Sequence, residues 1–190
     1  GVNRPTFSEA HLAARKWLKE EIERSGLEFH TDGAGNHSAL LACAEDGSPS
    51  FLIGSHLDSV LNGGRFDGAL GVIAALEVLK TVKENGIRLK VNVEAIDFTD
   101  EEGTLVGLLG SAALAGYLNQ KDLSSPRGGR DNLLEGMVRA GLSDAGMLSA
   151  ARPKDSLAGY LELHIEQGKR LERAGTDIGI VTAIVGIWSY

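Results

Sequence analysis

The residues that could do chemistry are concentrated in four short polar segments. Each segment combines carboxylate or imidazole side chains with glycine; the four span residues 54–58, 62–68, 100–103 and 164–168. Three of them come at or near the end of a predicted strand, and the segment 62–68 precedes an apolar stretch typical of a buried helix. Because ligands of open α/β sheets bind beyond the carboxyl ends of the strands, we expect the four segments to share one sheet edge.

The side chains in these segments are of metal-ligand type. The candidates among them are two imidazoles and four of the carboxylates, which are His56, His164, Asp58, Asp67, Glu101 and Glu102. A mixed set of this kind suits zinc, manganese or cobalt better than calcium or magnesium. A carboxylate beyond those that bind the metal can serve as the general base of metal-assisted hydrolysis. The pattern therefore favours a metal-dependent hydrolase.

Each segment taken alone also has a simpler structural interpretation. The pair His56 and Asp58 is compatible with a surface loop, and Asp67 with the N-cap of the following helix. Adjacent glutamates such as Glu101 and Glu102 are usually solvated. A non-catalytic binding module is therefore the alternative from a different class, although a purely structural metal site needs no spare carboxylate.

Strands and helices alternate along the chain. A capping-box pattern at 6–9 predicts a first helix that ends at Gly26. Apolar runs predict strands at 39–43, 51–53, 89–98, 157–165 and 178–187, and further helices at 69–79, 111–118 and 132–140. The polar residues 119–131 are predicted to form a loop. This order predicts an α/β fold, a mixed sheet flanked by helices on both faces.

Composition and charge restrict the class of protein. A hydrophobic content of 43% argues against a disordered chain, and a net charge of −7 argues against nucleic acid or an anionic membrane as partner. No apolar run approaches the roughly 20 residues needed to span a bilayer. The single cysteine, Cys43, is expected to be buried, and nothing points to an oxidising compartment, so we expect a cytoplasmic protein. His11 is expected to be solvated among the charges of the first helix.

Three long motifs resemble one enzyme family. They are GSHLDSVLNGGRFDGALGV, DFTDEEG followed by GLLGS, and LELHIEQG followed by GIVTAIVG. The chain resembles the amidase and carbamoylase branch of the dinuclear-metal carboxypeptidase-like hydrolases, from about residue 5 to its end. Members of that branch include N-carbamoyl-L-amino-acid hydrolase, allantoate amidohydrolase and β-ureidopropionase.

The resemblance implies a role for each candidate residue. It implies that His56, Asp67 and His164 hold one divalent metal ion, and that Asp67 bridges to a second one. Glu102 is then a ligand of the second ion, and Glu101 is the general base that acts on the attacking water.

The resemblance also implies supporting roles. Asp58 orients the imidazole of His56, and Gln167 helps to hold the ureido group of the substrate. A strained peptide, with the cis form as one option, is suggested after the bridging Asp67, where Gly68 would reduce its cost.

The implied reaction is hydrolysis of the ureido C–N bond of an N-carbamoyl amino acid or an allantoate-like acid, which releases ammonia and carbon dioxide. The implied cofactors are two divalent ions, zinc, manganese or cobalt, and the implied partner is a small ureido acid. An aminoacylase or peptidase acting on N-acyl amino acids, or a non-catalytic metal-binding fragment, remains the alternative.

The resemblance also divides the chain into domains. Residues 1–186 correspond to the N-terminal part of a zinc-exopeptidase-like catalytic domain, and residues 187–190 to the start of a lid domain. In the family, that lid supplies a homodimer interface and groups that grip the substrate carboxylate. The catalytic domain then resumes and supplies one more histidine to the second metal ion.

Overall fold

A five-stranded mixed sheet forms the centre of the computed structural model, which describes residues 1–184. Its strands are β1 (Glu28–Thr31), β2 (His37–Leu41), β3 (Ser50–His56), β4 (Asn92–Phe98) and β5 (Leu157–Leu161). They lie in the order β1-β2-β4-β3-β5. The pairs β1–β2 and β2–β4 are antiparallel, whereas β3 pairs in parallel with both β4 and β5. The carboxyl ends of three strands therefore meet at one edge.

Helices cover both faces of this sheet. They are α1 (Glu9–Arg24), α2 (Ala69–Glu84), α3 (Leu109–Leu114), α4 (Gln120–Ser124), α5 (Arg130–Ala140), α6 (Asp144–Leu148) and α7 (Arg170–Ala174). On β4, Val93 and Ala95 pack in one core cluster with residues of α1 and α2, and Ile96 packs in another with Leu114 of α3. The predicted fold class is thus confirmed. In the part of the chain described, no helix has the length and apolar character that crossing a membrane requires.

A buried ion pair ties α1 to the strand that precedes the paired glutamates. The Nε of Arg15 donates to Asp97 at 2.8 Å, and the other oxygen of Asp97 accepts from the Leu57 amide at 2.7 Å. Arg15 also donates to the Gly35 carbonyl at 2.7 Å and to the Thr99 hydroxyl at 3.0 Å. The Arg15–Asp97 pair therefore joins a helix, a turn and the ends of two neighbouring strands.

Several predicted boundaries are wrong. The strand predicted at 157–165 ends at Leu161, residues 178–184 of the last predicted strand have no strand structure, and residues 185–187 lie outside the described part. The predicted loop 119–131 contains α4, whose first turn is closed by a reciprocal capping box between Asn119 and Asp122. β1 was not predicted, because a short strand with mostly exposed residues shows no apolar alternation.

The start of α1 also differs from the prediction. Ser8 is the N-cap, and its hydroxyl accepts from the His11 amide at 3.2 Å. His11 is fully buried rather than solvated. Its Nδ1 accepts from the Phe7 amide at 2.9 Å, and its Nε2 has no hydrogen-bond partner in the described part of the chain. Burial and the nearby charge of Arg15 lower the pKa of His11 to about 2.

The buried His11 predicts a specific loss of stability in acid. Its folded-state pKa lies below the value of 6.5 expected for the unfolded chain, so the unfolded state takes up a proton first as the pH falls. Neutral His11 therefore makes its full contribution to the free energy of unfolding above pH 6.5, and this contribution declines progressively below that pH. Replacing His11 with Asn, whose side-chain oxygen can accept from the Phe7 amide, removes this dependence.

We expect the free energy of unfolding of His11→Asn to fall less steeply between pH 4 and 6 than that of the wild type, by about 1.4 kcal/mol per pH unit. Urea titrations of the full-length protein at several pH values measure this slope. Above pH 7 the two curves should run parallel, since His11 is neutral in both states there. Equal slopes between pH 4 and 6 would show that His11 does not carry the effect.

Candidate metal centre

Three side chains from distant parts of the sequence converge at the carboxyl edge of the sheet. His56 is the last residue of β3, Asp67 lies just before α2, and His164 follows β5. One potential ligand atom from each lies within 4.8 Å of the other two. The parallel pairing of β5 with β3 brings His164 to His56 across more than a hundred residues of chain.

Both imidazoles present the same nitrogen to this group. The Nδ1 of His56 lies 3.0 Å from the Asp58 carbonyl, and the Nδ1 of His164 lies 2.6 Å from the Ile165 carbonyl. Because a carbonyl oxygen only accepts hydrogen bonds, each Nδ1 carries the proton. In the neutral form of each ring, Nε2 then has a lone pair that can bind a metal ion.

Within residues 1–184, one carboxylate oxygen of Asp67 has no hydrogen-bond donor. Its Oδ2 accepts from the amide of Gln167 at 2.8 Å. Its Oδ1 is buried and accepts no hydrogen bond from the residues that the structure describes, although the Nε2 of His164 lies 3.3 Å away. A buried carboxylate oxygen without a donor, facing an imidazole lone pair, is unfavourable unless a cation lies between them. The residues present therefore fit a divalent metal ion.

The chain passes very close to His56 at Gly68. The φ angle of Gly68 is +66°, and a Cβ atom here would collide with the carbonyl oxygen and ring of His56. Gly68, not Asp67, is the N-cap of α2, and among the described residues no side chain caps the start of that helix. The peptide after Asp67 is trans, so the suggested cis form is wrong. The unusual conformation lies in the left-handed φ of the glycine instead.

Asp58 connects His56 to the paired glutamates. Its carboxylate is fully buried and accepts from the amides of Glu101 at 3.3 Å and Glu102 at 3.1 Å. Its Oδ1 also lies 3.6 Å from the Nδ1 of His56. Burial acts to raise the pKa of Asp58, but the adjacent imidazole outweighs this and lowers it.

Glu101 lies next to the metal-binding face of His56. One of its carboxylate oxygens is 3.4 Å from the Nε2 of His56. Burial disfavours a charged His56, yet the Asp58 hydrogen bond and charge, together with Glu101, raise its pKa to about 9. A cation and a proton therefore compete for the same Nε2 lone pair.

The two glutamates are both held in an environment that favours protonation. Burial, assisted by the charge of its neighbour Glu102, raises the pKa of Glu101. Burial and the charge of Asp67 raise that of Glu102, although His56 opposes the shift. Glu102 is outside the group of three, so its role as ligand of a second ion stays a prediction.

Two buried residues around the site were not predicted. Asp100 accepts from the amides of Leu105, Val106 and Gly107 at 2.6–3.1 Å, and thereby folds the loop after the paired glutamates. Thr6 contacts both Asp58 and Asp100. Asp100 stands within a predicted segment, but no local pattern relates Thr6 to residues more than 50 positions away.

Comparison with known proteins places the chain in a family. The chain belongs to peptidase family M20/M25/M40, whose sequence profile matches residues 52–188. This confirms the family resemblance.

It is 42% identical to an N-carbamoyl-L-amino acid amidohydrolase of Geobacillus stearothermophilus, over 99% of this chain and 47% of that protein. It is 35% identical to the allantoate amidohydrolase of Bacillus subtilis, over 98% of this chain and 45% of that protein. A hydantoinase/carbamoylase family amidase from Burkholderia ambifaria superposes with a TM-score of 0.81 at 32% identity, covering 93% of this chain and 42% of that one. The chain thus spans about half the length of the curated relatives it matches.

The orphaned oxygen of Asp67 predicts the effect of one substitution. Asp67→Asn replaces the anionic oxygens with a neutral amide, so we expect Mn²⁺ affinity to fall by more than the roughly 10–100-fold typical of losing a ligand's hydrogen-bonding partner. Isothermal titration calorimetry on the metal-depleted, full-length protein measures this affinity. Asp46→Asn, at an exposed carboxylate before β3, is the matched control. Wild-type affinity in Asp67→Asn would remove Asp67 as a ligand.

Proposed function

We propose that the full-length protein is a binuclear metallohydrolase that cleaves the ureido C–N bond of an N-carbamoyl amino acid or an allantoate-like acid. The observation that carries this proposal is the convergence of His56, Asp67 and His164 with Glu101 beside them. Family membership supports it, as do the names of the relatives from Geobacillus and Bacillus.

The residues divide between two ions in this proposal. His56, Asp67 and His164 are the ligands of one ion. Asp67 and Glu102 are ligands of the second. Zinc, manganese and cobalt all suit these donors. When bound, a pair of such ions polarises the ureido carbonyl and makes water acidic enough to ionise near neutral pH.

Glu101 is the proposed general base. Its carboxylate stands beside the Nε2 of His56, so it is adjacent to the metal-binding group without being one of the three ligands. It takes a proton from the attacking water and passes it to the leaving nitrogen. One water added to R–NH–CO–NH₂ gives R–NH₂, carbon dioxide and ammonia. Asp58 keeps the imidazole of His56 in place throughout.

Gln167 is the proposed contact for the ureido group. Its exposed side chain reaches Asp67 at 2.8 Å, which places a primary amide at the rim of the metal-binding group. An amide carries both a donor and an acceptor, and these match the carbonyl and N–H groups of a urea.

The proposed domain division follows the resemblance. Residues 1–186 form the N-terminal part of the catalytic domain, and residues 187–190 begin the lid domain. Homodimerisation through the lid and a cytoplasmic location stay predictions.

Glu101→Gln tests the role of the general base. We expect turnover of N-carbamoyl amino acids to fall roughly 10²–10⁴-fold, because the isosteric amide cannot accept the proton. Metal content, measured by plasma mass spectrometry, should stay at the wild-type level. Glu45→Gln, at an exposed position remote from the site, is the control. Near-normal turnover in Glu101→Gln would remove it as the base.

A substrate panel separates the proposed reaction from its main alternative. The family profile is named for peptidases, which favours an aminoacylase or peptidase as second candidate. We expect kcat/KM to be higher for N-carbamoyl amino acids or allantoate than for the matched N-acetyl amino acids. Ammonia release and amine release are measured in parallel. Preference for the N-acetyl series would assign the second candidate instead.

A further inference from the structure

The first residues of the chain are hydrogen-bonded to the loop that follows β3. We call residues 2–7 the N-terminal arm. Val2 and Gly63 exchange both backbone hydrogen bonds, at 2.8 and 2.9 Å. Arg4 donates its amide to the Ser59 hydroxyl at 2.9 Å and accepts from the Ser59 amide at 2.9 Å. The arm therefore lies along the loop that contains Asp58.

The same arm also contacts the loop after β4. The amide of Thr6 donates to the Thr104 hydroxyl at 3.2 Å. The Thr6 hydroxyl oxygen lies 2.9 Å from Oδ1 of Asp100 and 3.2 Å from Oδ2 of Asp58. Both carboxylates are fully buried. A single hydroxyl thus stands between two acidic side chains from the ends of neighbouring strands.

These two carboxylates order the backbone of the site. Asp58 accepts hydrogen bonds from the amides of Glu101 and Glu102. Asp100 accepts hydrogen bonds from amides of the following loop, including that of Val106. Buried like charges repel strongly because little water screens them. A hydroxyl proton placed between two such carboxylates offsets part of that repulsion.

We propose that Thr6 is a positioning residue that holds Asp58 and Asp100 at their observed separation and so fixes His56 and the Glu101–Glu102 pair. This proposal rests on the proposed function for its effect on turnover, but its effect on the backbone is independent of metal. Thr6 itself touches neither substrate nor metal. It acts from the N-terminal arm through Asp58.

Thr6→Val and Thr6→Ser in the full-length protein test this role. Valine matches threonine in shape but lacks the hydroxyl, whereas serine retains it. If the valine variant does not fold, Thr6→Ala removes the hydroxyl without a β-branch.

We expect Thr6→Val to weaken Mn²⁺ affinity about tenfold and to lower kcat for N-carbamoyl amino acids about tenfold, with KM nearly unchanged. Thr6→Ser should restore both the affinity and kcat. In the metal-free protein, the amides of Glu102, Val106 and Gly107 should exchange about tenfold faster in Thr6→Val. Thr81→Val, at an exposed hydroxyl of α2, is the control.

The outcomes separate this proposal from the proposed function. Faster exchange in Thr6→Val, corrected by serine, supports the positioning role even if the wild type shows no hydrolase activity. Unchanged exchange and unchanged Mn²⁺ affinity in Thr6→Val overturn it, even if the wild type hydrolyses ureido acids. Equal losses of Mn²⁺ affinity and of kcat in Thr6→Val and Thr6→Ser also overturn it, because the hydroxyl would then not be the cause.

Discussion

The buried carboxylate of Asp58 is the interaction on which the arrangement of the site depends. A carboxylate without exposed surface must have its oxygens satisfied by donors inside the protein. The donors around Asp58 are the amides of Glu101 and Glu102 and the Thr6 hydroxyl, with the imidazole of His56 alongside. One charge therefore sets the distance between the end of β3 and the turn that follows β4. The position of the proposed base relative to the proposed metal ligand follows from that distance.

The sheet makes this arrangement possible. In parallel strands the carboxyl ends meet at one edge, and the register that pairs His56 with Phe98 places Asp58 and Asp100 each two residues beyond paired positions. Beneath them, Arg15 and Asp97 form a second buried pair that also binds the Leu57 amide. Removing one member of such a pair typically lowers the free energy of unfolding by about 3–5 kcal/mol, since the other charge stays buried alone. The polar layer under the site is thus part of the fold as well as of the site.

The sequence was most informative where a local pattern corresponds to a local structure. The apolar run of α2 and the alternation of β4 were recognisable, and polar segments after strands indicated a shared edge. The convergence of His56, Asp67 and His164 agrees with that expectation. The exposed strand β1 and the short helix α4 have too little apolar periodicity to be predicted from the sequence.

The tertiary contacts of Thr6 had no local signal, and the burial of His11 had only a weak one. Thr6 looked like the start of a capping box, and its actual partners lie 52 and 94 residues away. His11 stands among charged neighbours in sequence, yet it faces the interior, because it lies on the face of α1 that also carries the buried Leu18 and Ile22. Such assignments need the arrangement of elements in space, which a single sequence does not contain.

Anomalous diffraction from crystals of the full-length protein soaked in Mn²⁺ tests whether His56, Asp67 and His164 bind one ion. We expect a peak within about 2.0–2.3 Å of the Nε2 atoms of His56 and His164 and of the unpartnered oxygen of Asp67. The Asp58 carboxylate should remain on the Glu101 and Glu102 amides without contacting the ion. Manganese bound elsewhere, with Asp67 uncoordinated at saturating concentration, would contradict it.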